Sequence, residues 1–322
     1  MKTIILENDF QKITFLDVGA TIYTWEIKPK NNRNIVLSNK LISDYLDSKT
    51  GYLGATIGRV TNRIKNGVFT LDGVKYTLDR NFDSNVNAGH GGEAGFWARA
   101  FNVAHQTLTK VVFTYESKDG EEGYPGNLHL SVTYELTSKG LSVKYEAESD
   151  QKTIVNITNH SYFNLEASQS ILNHKLQLDA PYFLPFDELK AVQGIKAPTK
   201  GTALDFSQET RIGDIIHDEY LSDPKTEGLD HCLYFGRKKQ VALKSRDLQL
   251  VVATSYPCVQ LYATGFPGPQ QLLSGDKVKK YQALAIEPQL AVDAINFPKL
   301  GNIILNKGEK YEHFITYELS EI

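Results

Sequence analysis

The sequence predicts an all-β fold: a large antiparallel β-sandwich with a few short helices. Three observations predict it. Hydrophobic alternation of period 2 recurs along the chain, tight-turn residues punctuate the alternating runs, and helical spacing is confined to two short stretches.

The elements follow in order. Ile13 to Leu16 reads as a strand, and Leu41 to Asp47 as a short helical segment. Phe69 to Tyr76 reads as a hairpin, because Asp72-Gly73 supplies the positive φ angles of a tight primed turn. Val111 to Tyr115 is a further strand. Leu128, Leu130, Val132, Tyr134 and Leu136 then alternate with polar residues. The Ser138-Lys139-Gly140 turn leads into Leu141, Val143, Tyr145 and Ala147, which alternate in the same way. That pairing predicts a hairpin with one face buried and one in water. Lys175 to Leu178, Val241 to Lys244, Leu248 to Thr254 and His313 to Leu319 complete the strand-like runs, and Ile212 to Tyr220 is the second helical stretch. Strands that do not alternate with long helices argue against a parallel α/β sheet. With no low-complexity linker and no fixed-period repeat, residues 1–322 read as one domain.

Composition narrows the function. The chain has 322 residues, 41% hydrophobic and 23% charged, with a net charge of -3 and no basic stripe. A nucleic-acid partner calls for such a stripe, so that class is excluded. No run reaches the roughly 18 apolar residues of a membrane span. The first residues, Met1-Lys2-Thr3-Ile4-Ile5-Leu6-Glu7, lack the apolar stretch of a secretory leader, so a cytoplasmic location is expected. Cys232 and Cys258 form neither a C-x-x-C pair nor a zinc spacing and read as buried free thiols.

Three runs place polar residues where a strand would present core residues. In Ile154 to Tyr162, one face carries Asn156, Thr158, His160 and Tyr162. In Cys258 to Tyr262, Gln260 and Tyr262 share a face. In Ala283 to Gln289, Glu287 closes an otherwise apolar strand and shares its face with Gln289. Burying a lone carboxylate costs several kcal/mol, so Glu287 needs a partner or a function. A single such strand reads most simply as a satisfied structural carboxylate; three together suit a hydroxyl-rich ligand, since amides, acids and imidazoles can answer groups that both donate and accept. Two loops add to this. Asn87-Ala88-Gly89-His90-Gly91-Gly92 sets a histidine among glycines, where backbone can approach a ligand, and Gly228-Leu229-Asp230-His231 sets an acid after a turn.

In this order the segments resemble the aldose 1-epimerase family. The matching stretches are Gly58 to Ile64, Asn87 to Gly92, Glu122 to Leu128, Asn159-His160-Ser161-Tyr162-Phe163-Asn164-Leu165, Gly228 to His231, Gln260-Leu261-Tyr262, Ile286-Glu287-Pro288-Gln289 and Asp293 to Pro298. The resemblance implies a large antiparallel β-sandwich and an isomerase that interconverts the α and β anomers of free aldoses such as galactose and glucose. Carried over residue by residue, it implies Glu287 as general base, His160 as general acid and His90 as the second active-site histidine. It implies sugar contacts from Asp230, Asn62, Arg63 and Gln260. Tyr162 joins the binding set because it shares a face with His160. The family usually has Leu before the histidine of its His-Gly-Gly motif; here that position is Gly89, and Gly95-Phe96-Trp97-Ala98 also departs from the expected form.

The implied chemistry needs no metal and no cofactor. The C1 hydroxyl loses a proton, the ring oxygen gains one, the C1–C2 bond turns and the ring closes on its other face. One base and one acid suffice. At ordinary values, about 4.3 for Glu and about 6.5 for His, Glu287 is expected ionised and His160 partly protonated near neutrality.

Two alternatives stand beside this expectation: a non-catalytic carbohydrate-binding protein with the same polar groove, and an epimerase of sugar phosphates. The second would need clustered cations; Arg59 and Arg63 lie near each other in sequence, but no wider cluster is evident. The glycines around His90 do not sit between a strand and a helix as in a nucleotide loop, and there is no G-x-S-x-G elbow or H-E-x-x-H site. A paired-carboxylate glycosidase stays open from sequence, with Glu287 and Asp230 as the acids that stand out. The expected partner is a small monosaccharide, with no nucleic acid and no membrane. Nothing in the sequence sets the oligomeric state or ranks the aldoses.

Overall fold

In the computed structural model, residues 1–47, 50, 52–224 and 226–322 are described. Antiparallel strands dominate. A nine-stranded sheet runs in the spatial order Asn102–Gln106, Lys110–Ser117, Leu128–Thr137, Gly140–Ser149, Tyr311–Glu321, Leu248–Thr254, Gln240–Lys244, Lys175–Leu178 and Thr210–Arg211. A six-stranded sheet runs Tyr162–Phe163, Leu284–Gln289, Cys258–Tyr262, Asp230–Tyr234, Tyr182–Phe183 and Ala197–Pro198. A four-stranded sheet is built from Thr3–Glu7, Gln11–Leu16, Thr21–Ile27 and Arg33–Asn34.

The expected hairpins form with the expected turns. Leu71 pairs with Val74 around Asp72 and Gly73, whose φ angles are 50° and 79°. Thr137 pairs with Gly140, closing the longer hairpin. The helical stretches are shorter than the spacing predicts: a 3₁₀ helix over Ile42–Leu46 and an α-helix over Ile212–Ile215. A single turn lacks the length to hold itself in water, so packing decides how far each extends. No helix among the described residues is long and apolar enough to cross a membrane.

The largest core cluster joins the inward faces of the sheets. Val132, Tyr145, Ile315 and Leu250 from the nine-stranded sheet are buried in the same cluster as Leu233, Val259, Leu261 and Ile286 from the six-stranded one. Strand periodicity then fixes the rest. Because Leu233, Val259, Leu261 and Ile286 point into the core, the alternate residues Cys232, Gln260 and Glu287 must point the other way. Cys232 lies opposite Gln260, and Gln260 opposite Glu287, in one row across three strands. Two residues along each strand, a second row runs Asp230, Tyr262, Ala285 and Tyr162. The polar face of this sheet is the floor of the candidate site.

Ile154 to Tyr162 predicts one continuous strand, but the structure divides it. Thr158–Asn159 pairs with Thr56–Ile57, whereas Tyr162–Phe163 pairs with Leu284 and Ala285. The break turns the chain from one sheet to the other. Asn156 and Thr158 are spent on the backbone there: Asn156 Nδ2 donates to the Leu290 carbonyl at 3.1 Å and Thr158 Oγ1 to the Pro288 carbonyl at 2.7 Å. Of that polar face, only His160 and Tyr162 reach the pocket.

Candidate active site

A cavity of about 250 Å³ opens above the six-stranded sheet, small among ligand sites. Glu287, His160, His90, Asn62, Arg63, Asp230, Gln260 and Tyr162, the residues singled out from sequence, all line it. Their separations in sequence reach 225 positions, from Asn62 to Glu287.

Glu287 and His160 face one another. Their closest atoms, His160 Nε2 and Glu287 Oε1, are 3.4 Å apart, with side chains only 5% and 2% exposed. Burial in this apolar-walled site pushes the Glu287 carboxyl well above the usual carboxylate range, and the nearby acid Asp230 adds to the effect. Burial lowers His160 to about 4. The ordinary values therefore do not hold in the pocket: desolvation disfavours charge on both groups. Between about pH 4 and the raised Glu287 value the pair therefore carries one proton, on the Glu287 carboxyl.

His90 is held differently. The Asn62 backbone N–H donates to His90 Nδ1 at 3.2 Å. A neutral imidazole that accepts at Nδ1 must carry its hydrogen on Nε2, so His90 is a hydrogen-bond donor through that atom. Burial, with His160 and Arg63 close by, keeps it neutral by pushing its pKa well below 6.5. Its own N–H donates to the Asn62 carbonyl at 3.0 Å, and its φ of 49° places it at the turn that begins Gly91-Gly92. Gly91 is required there: a Cβ would sit 1.8 Å from the Gly58 carbonyl oxygen.

A chain of amides and acids forms one wall. Asn62 Nδ2 donates to Gln260 Oε1 at 3.1 Å, and Gln260 Nε2 donates to Asp230 Oδ1 at 2.6 Å. Burial raises the Asp230 pKa, and the Arg63 charge partly counters it. Arg63 is held by a two-point ion pair with Asp83, Nε to Oδ2 at 2.8 Å and Nη2 to Oδ1 at 3.0 Å. Asp83 also accepts from Asn87 Nδ2 at 2.8 Å, which ties the pair to the strand leading into His90.

Aromatic residues that the sequence reading did not single out complete the walls. Tyr52 stacks on His160 with ring centroids 6.0 Å apart and lies 4.9 Å from His90. Trp97, in the segment that departs from the family form, backs Tyr52 edge-on at 5.2 Å. Tyr162 stacks on the other side of His160 at 4.9 Å. Phe82, Tyr262, Phe266 and Lys190 also line the cavity. Tyr262 was visible as Gln260's neighbour in alternation, but Tyr52, Phe82 and Phe266 sit in irregular segments with no periodic signal.

Arg59 does not join them. Its guanidinium is buried and donates to the carbonyls of Pro125, Gly126, Ser117 and Lys118 and to the hydroxyls of Ser117 and Thr153. It staples the end of the Lys110–Ser117 strand, the Pro125-Gly126 turn and Thr153 together. Cys232 and Cys258 are buried free thiols, as expected.

Known proteins resemble this chain over its whole length. A family model described as aldose 1-epimerase matches residues 2–318. Human galactose mutarotase is 36% identical over 326 residues, which cover 98% of this chain and 93% of the human protein. Aldose 1-epimerase of Escherichia coli strain K12 is 35% identical over 322 residues, covering 95% of this chain and 91% of that protein. Among solved structures, a GalM/aldose epimerase homologue from C. elegans superposes with a TM-score of 0.90 at 28% identity, covering 100% of this chain and 99% of its own. Galactose 1-epimerase from Lactobacillus acidophilus gives a TM-score of 0.86 at 29% identity, with 99% and 94% covered.

Proposed function

The chain belongs to the aldose 1-epimerase family, and on that premise we propose that Glu287 and His160 open and reclose the ring of a free aldose, interconverting its α and β anomers. The observation that carries this reading is the 3.4 Å contact between His160 Nε2 and Glu287 Oε1 in a buried pocket. Both oxygens that exchange protons during ring opening are bonded to C1. An acid and a base that serve them together must therefore both reach the same anomeric centre, as two groups meeting in one pocket can.

A sugar entering the cavity displaces the direct contact. Its C1 hydroxyl and ring oxygen take the places the two groups now offer each other. With the proton of the pair on His160, Glu287 accepts from the C1 hydroxyl while His160 donates to the ring oxygen; the C–O bond breaks and the open aldehyde forms. Rotation about C1–C2 presents the other carbonyl face. Reclosure returns each proton, so the pair is reset. The sugar hydroxyls supply hydrogen bonds that favour the charged arrangement over the neutral one that desolvation favours. His90 Nε2–H and Arg63 donate to sugar oxygens, while Asp230, Gln260 and Asn62 hold hydroxyls, so that the open chain stays oriented. Tyr162 and Tyr52 confine the His160 ring between them.

The same reading treats residues 1–322 as one domain, supported by a core cluster that runs from Ile4 to Leu319. It also favours free sugars over sugar phosphates, because Arg59 is committed to backbone carbonyls and the Arg63 charge is already balanced by Asp83, which leaves Arg63 N–H groups for a neutral hydroxyl but no uncompensated arginine for a dianion. Exchange spectroscopy by proton NMR tests it. At anomeric equilibrium, added protein should produce cross-peaks between the α and β H1 resonances of D-galactose or D-glucose. Exchange confined to hexose 6-phosphates would support the sugar-phosphate alternative, and binding without any exchange would support a carbohydrate-binding protein.

A further inference from the structure

Position 89 and the ring of Phe82 occupy the same space. A Cβ built on Gly89 would meet Phe82 ring carbons at 2.3 Å, closer than real Cβ atoms approach anything. Gly89 is paired with Arg63 in the strand that delivers His90, and its backbone is not in the left-handed region. Its small size, not its flexibility, is what the site uses: the missing side chain is the seat of the Phe82 ring.

Seated there, Phe82 touches three residues of the pocket. Its ring meets His90 edge-on at 5.0 Å, lies under the Arg63 guanidinium at 5.5 Å and approaches Tyr52 at 6.3 Å. It also lines the cavity itself. The segment is pinned, with Phe82 N–H donating to the Asn87 carbonyl at 3.0 Å and Asn87 N–H returning to Phe82 at 3.2 Å. Next in sequence is Asp83, the partner of Arg63. A flat apolar surface between two hydrogen-bond donors matches a pyranose, whose C–H groups form an apolar face and whose hydroxyls project from its rim.

Resting on the proposed sugar reaction, we propose that Phe82 is a sugar-contacting residue whose position depends on glycine at 89. Phe82 packs against C–H groups of the bound aldose while its neighbours His90 and Arg63 take the hydroxyls. It moves no proton, so it acts on binding and leaves the chemical step to the acid–base pair.

The test is a double-mutant cycle with Phe82→Ala, Gly89→Ala and the two combined. D-galactose affinity is read by calorimetric titration, and KM and kcat by polarimetry. Phe82→Ala should raise Kd and KM about tenfold, the scale of one lost apolar contact, with kcat changed less than threefold. Gly89→Ala should cause a similar loss by displacing the ring. The double variant should be no worse than either single one, because the added Cβ then meets no ring. Thermal melts confirm folding; should Gly89→Ala not fold, Phe82→Ala decides alone. Unchanged Kd and KM in Phe82→Ala, or a collapse of kcat with Kd retained, would overturn the proposal. Because Kd is measured without turnover, wild-type protein that binds sugar but does not exchange anomers would refute the reaction while Phe82 is still judged by its own affinity change.

Discussion

His160 Nε2 lies 3.4 Å from Glu287 Oε1, and the second polar atom of each, His160 Nδ1 and Glu287 Oε2, is buried with no hydrogen-bond partner. Buried polar atoms are paired in the great majority of cases, and one left over calls for an explanation such as a catalytic role. Both groups proposed to handle protons thus keep hydrogen-bonding capacity that the rest of the protein does not use.

The pH dependence follows from the shared proton. Below about pH 4, where His160 titrates, the pair takes up a second proton and loses its base. As pH rises through the raised Glu287 value, the shared proton leaves and the pair loses its acid. A plot of kcat/KM against pH should therefore be a bell with a broad plateau and an acid limb near 4. An acid limb near 6.5 would show an unperturbed imidazole and contradict this account.

Asp230 closes the amide chain from Asn62 through Gln260 and is proposed to hold a sugar hydroxyl. Asp230→Ala should raise KM for D-galactose about 10- to 100-fold, the range for hydrogen bonds to a charged group, with a smaller effect on kcat. Steady-state polarimetry at varied sugar concentration measures both. An unchanged KM would remove Asp230 from the binding set.

Arg59 and Arg63 should separate structure from function. Arg59→Ala strips donors from several buried backbone carbonyls and should cost about 3 kcal/mol, a fall of about 4 °C in Tm for a chain of this length, with KM little changed in the folded protein. Arg63→Ala should raise KM at least tenfold. Thermal melts paired with kinetics check the contrast. Equal losses of activity at matched stability would show that Arg59 also acts on the site.

Much of this was legible in the sequence because strands write their orientation in period 2. Gln260 and Glu287 fall on the face opposite Val259, Leu261 and Ile286, and a reader of the alternation can place them without coordinates. The hairpin at Asp72-Gly73 was legible for the same local reason. The protein departs from that reading where tertiary contacts override local pattern. Asn156 and Thr158 share the alternation of His160, yet the chain breaks its strand there and turns both side chains onto the backbone of Pro288 and Leu290. Tyr52 and Phe82 carry no periodic signal because loops have none. The Arg63–Asp83 pair spans 20 residues with nothing in the sequence to join them. The protonation of the acid–base pair was also out of reach, since it depends on burial that only the folded chain creates.

The most direct measurement is the optical rotation of freshly dissolved α-D-galactose, followed with no protein, with wild-type protein and with Glu287→Gln. The wild type should speed the approach to the same final rotation. Glu287→Gln, nearly identical in shape but without a base, should lose about 10²–10⁴-fold of that rate while calorimetry shows galactose still bound. Mutarotation at the wild-type rate in Glu287→Gln would contradict the account.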